Sequence, residues 1–100
     1  MTAPAGGEIP REGCLSLRIF GRIQGVGFRA WTYRQALRLG VTGWVRNEAD
    51  GAVSCECRGT EEALEAFTQA LRGGPPLARV DKIDMRRVLR VPAYKRFGII

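Results

Sequence analysis

Apolar residues recur with period two from Cys14 onward: Leu15, Leu17 and Ile19 share one face, and Ser16, Arg18 and Phe20 share the other. Such alternation predicts a half-buried strand, here ending at Gly21. The period then changes. After a glycine-rich loop, Phe28, Thr32, Ala36 and Leu39 fall at helical spacing with Trp31 beside them, and Arg38 then Gly40 closes the segment. A helix over 28–39 follows. Thr42 to Asn47 reads as a second strand, and Asp50-Gly51 supplies the positive-φ chemistry of a hairpin turn. A third strand alternates Val53, Cys55 and Cys57 inward against Ser54, Glu56 and Arg58 outward. Thr60 is an N-cap, with Glu61 and Glu62 at the positive end of a second helix. Its apolar stripe is Ala63, Leu64, Phe67, Ala70 and Leu71, and Gly73-Gly74-Pro75-Pro76 stops it. A fourth strand is predicted over 78–88, where Ile83 and Met85 alternate with Lys82, Asp84 and Arg86, and a short last strand over 94–100.

The order is β-α-β-β-α-β with a terminal strand. Each helix carries one apolar face and needs a sheet to cover it. The simplest arrangement is an α+β, ferredoxin-like βαββαβ sandwich: an antiparallel sheet with two helices on one face and a short C-terminal strand. One hundred residues of 11.0 kDa suit a single domain and cannot hold a full dinucleotide-binding fold or an α/β barrel. Residues 1–13, rich in Pro, Gly and Ala, are expected to be a disordered tail, with the folded domain over 14–100. The tail lacks the apolar core of a signal peptide, and no 18-residue apolar run occurs anywhere. A cytoplasmic location without a membrane partner is therefore expected.

Composition narrows the chemistry. There is no His, so Ser-His-Asp and Cys-His nucleophile systems and His-ligated zinc are excluded. The three cysteines, Cys14, Cys55 and Cys57, form an odd set. Cys55 and Cys57, two apart on a strand, would have Cα atoms about 6.6 Å apart and parallel side chains, a poor disulfide geometry. Three thiols without His also fall short of a four-ligand metal site, so a reduced, small-apolar role is expected and no metal or cofactor. The net charge of +6 arises from 14 Arg and 2 Lys against 10 acidic residues. It suits either an anionic partner or a solvated Arg-rich surface.

The loop Gly21-Arg22-Ile23-Gln24-Gly25-Val26-Gly27 lies between a strand end and a helix start. Glycines there let successive backbone N–H groups turn inward, and the helix adds its unpaired amides and positive dipole end. Arg29 stands in the first turn, where a guanidinium fork can take two oxygens of a phosphoryl or carboxylate group. Packing alone also explains glycines at such a turn. The P-loop pattern fails because no Gly-Lys-Ser/Thr follows. Gly25-Val26-Gly27-Phe28-Arg29-Ala30, with Glu48 further on, matches a dinucleotide fingerprint, but the hairpin of strands two and three breaks the βαβαβ order.

Gly21-Arg22-Ile23-Gln24-Gly25-Val26-Gly27-Phe28-Arg29 resembles the first acylphosphatase signature. Gly43-Trp44-Val45-Arg46-Asn47, with Gly51-Ala52-Val53 and Gly59 at matching spacing, resembles the second. The similarity runs from Leu15 to Ile100 and includes Gly74-Pro75 and the ending Tyr94-x-x-Phe97-x-Ile99. The resemblance implies a metal-independent hydrolase that cleaves acyl phosphates to a carboxylate and inorganic phosphate, without a covalent intermediate. It places Arg29 on the phosphoryl oxygens and Asn47 on the attacking water. The phosphate cradle it implies comprises Arg22, Ile23, Gln24, Gly25, Val26, Gly27, Phe28 and Arg29, with Ile23, Gln24, Val26 and Gly27 acting through their backbones.

The chemistry accords with these residue types. A carboxylate leaves with little acid assistance, and phosphoryl transfer is catalysed by positioning and charge stabilisation. Arg22 and Arg46 flank the loop in sequence and could steer anions or simply be solvated; Trp44 suits packing; Asn47 could merely open the turn. Two alternatives share the fold. An RNA-binding module would carry stacking aromatics on strand three, and 52–58 has none. A carbamoyl-phosphate-processing domain, as in hydrogenase-maturation proteins, is the other. The expected partner is a small acyl phosphate, with no nucleic acid, and the expected state a monomer.

Overall fold

The computed structural model describes residues 11–100, and within them the alternating segments become a five-stranded sheet. The elements are β1 (Glu12–Arg22), α1 (Phe28–Leu39), β2 (Thr42–Asn47), β3 (Val53–Thr60), α2 (Glu61–Gly73), β4 (Arg79–Val88) and β5 (Phe97–Ile99). The strand order is β4-β1-β3-β2-β5. Both helices cover one face, α1 over β2 and β5, α2 over β1, β3 and β4. No helix is long and apolar enough to cross a membrane.

Three expectations are corrected in detail. The sheet is mixed rather than wholly antiparallel, because β5 pairs parallel to β2 through Gly43–Phe97, Trp44–Gly98 and Val45–Ile99. The last strand covers 97–99 only; the chain bends at 95–96, and Arg96 adds just its carbonyl, which accepts from Gly43 N–H at 3.1 Å. β1 begins at Glu12, because Glu12 and Gly13 pair with Thr60 and Gly59 across β3. The tail expectation for positions 1–10 lies outside the described residues.

The predicted inward faces meet in one core. Leu15, Leu17 and Ile19 of β1, Val45 of β2, and Val53, Cys55 and Cys57 of β3 are buried under Phe28 and Ala36 of α1 and Leu64, Phe67 and Leu71 of α2. Phe97 of β5 packs edge-to-face on Phe67, centroids 6.0 Å apart, which fastens the last strand to α2. Thr32, polar and fully buried, donates its hydroxyl to the Phe28 carbonyl at 2.9 Å and so remains satisfied. Trp31 Nε1 donates to the Ala70 carbonyl at 3.2 Å, tying α1 to α2. Thr60 caps α2 as its sequence suggests, its hydroxyl accepting from Ala63 N–H at 3.0 Å.

Candidate active site

The end of β1 turns sharply. Its register with β4 shifts between Phe20 and Gly21, and a Cβ on Gly21 would stand 2.0 Å from the Arg79 carbonyl oxygen. A side chain is therefore excluded where the chain bends away from the sheet. The loop that follows returns to start α1 at Phe28, with Gly27 as N-cap in the left-handed region, φ 83°. A Cβ at Gly27 would meet no other atom within 4 Å. Glycine is thus required there by the backbone conformation and not by crowding.

That conformation leaves amides free. The first backbone donor of the helix is Trp31 N–H, to the Gly27 carbonyl at 3.0 Å. Among the described residues, the N–H groups from Gln24 to Ala30 make no well-formed hydrogen bond to a backbone carbonyl. No acidic side chain occupies the first turn of α1 and no side chain caps it. A run of unpaired donors at a helix N-terminus creates a local demand for an anion.

Arg29 sits above this run, half-buried. Five arginines of the chain, Arg18, Arg46, Arg58, Arg79 and Arg87, are ion-paired to carboxylates. Arg29 makes no ion pair among the described residues, so its guanidinium is uncommitted.

Asn47 arrives from the other side. Val45 faces the helices and is fully buried, and Asn47, two positions on, shares that face by the period of the strand. Its Oδ1 is buried with no hydrogen-bond partner, the one such side-chain atom among the described residues. An unmade bond of this kind costs about 1–3 kcal/mol. Such buried unpaired atoms are few in folded proteins.

These groups meet at one cavity of about 210 Å³, lined by Ile23, Gly25, Gly27, Phe28, Arg29, Ala30, Asn47 and Ile99. The sequence-predicted Ile23, Gly25, Gly27, Phe28, Arg29 and Asn47 are thereby brought together. Arg22, Gln24 and Val26 do not line it. Arg22 is exposed at the end of β1, opposite Arg79. Arg46 points to the opposite face, bonded to Glu48 at 3.1 Å and stacked 4.7 Å over the Trp44 ring. Trp44 does pack as expected, donating its indole N–H to Tyr94 Oη at 3.1 Å. Ile99 and Ala30 were not anticipated. Ile99 reaches the cavity through the parallel β2–β5 pairing, for which the sequence carries no local signal. Among the described residues no group of three His, Cys, Asp or Glu side chains converges to hold a metal ion.

The profile of the Acylphosphatase family matches residues 15–99. The chain belongs to the acylphosphatase family. An acylphosphatase from Salinibacter ruber is 53% identical over 92 residues, spanning 92% of this chain and 97% of the relative. One from Rhizobium etli is 57% identical over 68 residues, covering 68% of this chain and 72% of the relative. Among solved structures, the acylphosphatase from Bacillus subtilis superposes with a TM-score of 0.85 at 33% identity, covering 87% of this chain and 97% of that one. Full-length HypF in its phosphate- and nucleotide-bound form matches with a TM-score of 0.86 at 34% identity. There 94% of this chain corresponds to 12% of the larger protein. The family match and the fold therefore agree across the same residues.

Proposed function

We propose that the chain hydrolyses acyl phosphates by direct attack of water on phosphorus, with Arg29 and Asn47 as catalytic residues and the 22–29 loop as the phosphate cradle. The observation that carries the reading is the shared cavity: the loop residues Ile23, Gly25 and Gly27, the uncommitted Arg29 and Asn47 line the same 210 Å³. The amides and Arg29 take the phosphoryl oxygens, whose negative charge they match before the reaction begins. Asn47 Oδ1 accepts one O–H of a water and holds it toward phosphorus. The water oxygen forms the new P–O bond as the P–O bond to the acyl group breaks. The carboxylate departs with the electron pair, and the proton of the water passes to a phosphate oxygen.

No residue of the cavity is required to donate or accept a proton, which suits a chain without His. The carboxylate product is a weak base, so its departure needs no general acid. The reading includes metal independence, a monomeric state and a cytoplasmic location. It is supported over carbamoyl-phosphate processing by curated relatives named acylphosphatase at 53% and 57% identity. Hydrolysis of benzoyl phosphate to benzoate and inorganic phosphate in excess chelator is the test; a folded chain without turnover would refute the reading.

A further inference from the structure

We propose that Gln24 is a positioning residue that fixes the phosphate cradle at a set distance from Asn47, an inference that rests on the hydrolase reading above. Gln24 lies within the loop, but its side chain does not face the cavity. Its Nε2 donates to two backbone carbonyls of the β2–β3 turn, Glu48 at 2.8 Å and Ala52 at 3.0 Å. Both N–H bonds of one carboxamide are thus spent on a segment far away in the chain.

The two acceptors are the neck of that turn. Glu48 N–H donates to the Ala52 carbonyl at 2.8 Å, and Gly51 N–H to the Glu48 carbonyl at 3.2 Å, so the turn is closed on itself. Asn47 immediately precedes Glu48 and forms the last β2–β3 pair, with Val53. The backbone of Gln24 likewise immediately precedes Gly25, which lines the cavity. The path from the cradle amides to the Asn47 carboxamide therefore runs through one side chain and two hydrogen bonds. Without them, β1 and the hairpin are still joined by the β1–β3 pairing and by the Arg18–Asp50 ion pair, but neither of these reaches the loop itself.

This geometry separates two roles. Binding of the phosphoryl group uses the loop amides and Arg29, which belong to one continuous segment and need no help from the hairpin. Orientation of the water needs that segment and Asn47 in register. A loosened tie displaces the water from phosphorus while the anion site remains. Misplacement by about 1 Å lowers the rate by up to ~100-fold.

Gln24→Met keeps the length of the side chain and removes both donors. The experiment measures kcat, inhibition by inorganic phosphate and Tm for wild type, Gln24→Met, Asn47→Ala and the double variant, with benzoyl phosphate as substrate. The expected result is a kcat lowered about 10- to 100-fold by Gln24→Met, with phosphate inhibition unchanged within about twofold. In the Asn47→Ala background the same substitution should cost no more than about twofold, because the group it positions is gone. Equal cost in both backgrounds, phosphate inhibition weakened in step with kcat, or a variant that does not fold would overturn the proposal. A folded but inactive wild type overturns the hydrolase reading itself; an active wild type with an unaffected Gln24→Met overturns only this assignment.

Discussion

Arg29, in the first turn of α1, and Asn47, the last residue of β2, line one cavity although a helix and a strand separate them in the chain. The relationship follows from topology. β1 delivers the loop and α1 at one end of the sheet, and α1 carries the chain back to the other end. β2 then returns toward the loop and reaches it with Asn47. The Arg29 and Asn47 side chains are placed together by elements that the core holds independently of either residue.

Arg29→Lys preserves the charge and removes the fork. If two phosphoryl oxygens are held by one planar guanidinium, the single ammonium cannot replace it, and kcat/KM should fall by about 100-fold or more. Steady-state kinetics on benzoyl phosphate measure this. A variant within a few-fold of wild type contradicts the bidentate role.

Asn47→Ala should dissociate activity from stability. Its kcat should fall about 100-fold while inhibition by inorganic phosphate holds steady. The substitution also removes a buried oxygen that has no partner, so Tm should not decrease. Loss of phosphate binding, or a clear drop in Tm, would show that Asn47 serves the turn rather than the water.

The pH dependence should be flat where most hydrolases titrate. Guanidinium, carboxamide and peptide groups do not ionise near neutrality. Burial holds the Cys55 thiol well above its usual value, and burial together with Glu56 raises Tyr94. The enzyme should contribute no ionisation to kcat/KM between about pH 5 and 8.

Stability should respond on the acid side instead. A hydrogen bond from Ser54, then Arg46, lowers Glu48 from 4.5; the Ala52 amide, then Arg18, lowers Asp50 from 3.8; Arg79 lowers Asp81 from 3.8. A carboxyl with a lowered folded-state pKa stabilises the fold above its ordinary value and loses that contribution as pH falls through the folded one. Thermal melts should therefore show these groups contributing fully from pH 5 to 8 and progressively less below about pH 4. A Tm that rises on acidification would contradict the sign.

Much of this was legible in the chain itself. Period-two and helical spacing located every element, and the inward set Val53, Cys55 and Cys57 is buried as the alternation required. The glycines, Arg29 and Asn47 could be singled out because each needs a particular residue type for a local reason. What escaped notice depends on partners distant in sequence. The parallel addition of β5, which brings Ile99 to the cavity, rests on packing of Phe97 against Phe67. Arg46 resembled a free cation until Glu48 and Trp44 were seen to hold it. Gln24 read as a backbone contributor because nothing near it in sequence indicates that Glu48 and Ala52 offer their carbonyls. Local geometry is written in neighbouring residues, and tertiary hydrogen bonds are not.

The account stands most directly on one comparison: turnover of benzoyl phosphate in excess chelator by wild type, Arg29→Ala and Asn47→Ala side by side, with inhibition by inorganic phosphate measured on each. The prediction is chelator-insensitive turnover by the wild type and severe loss in both variants, with phosphate inhibition weakened only by Arg29→Ala. Turnover abolished by chelator, or retained in either variant, would contradict it.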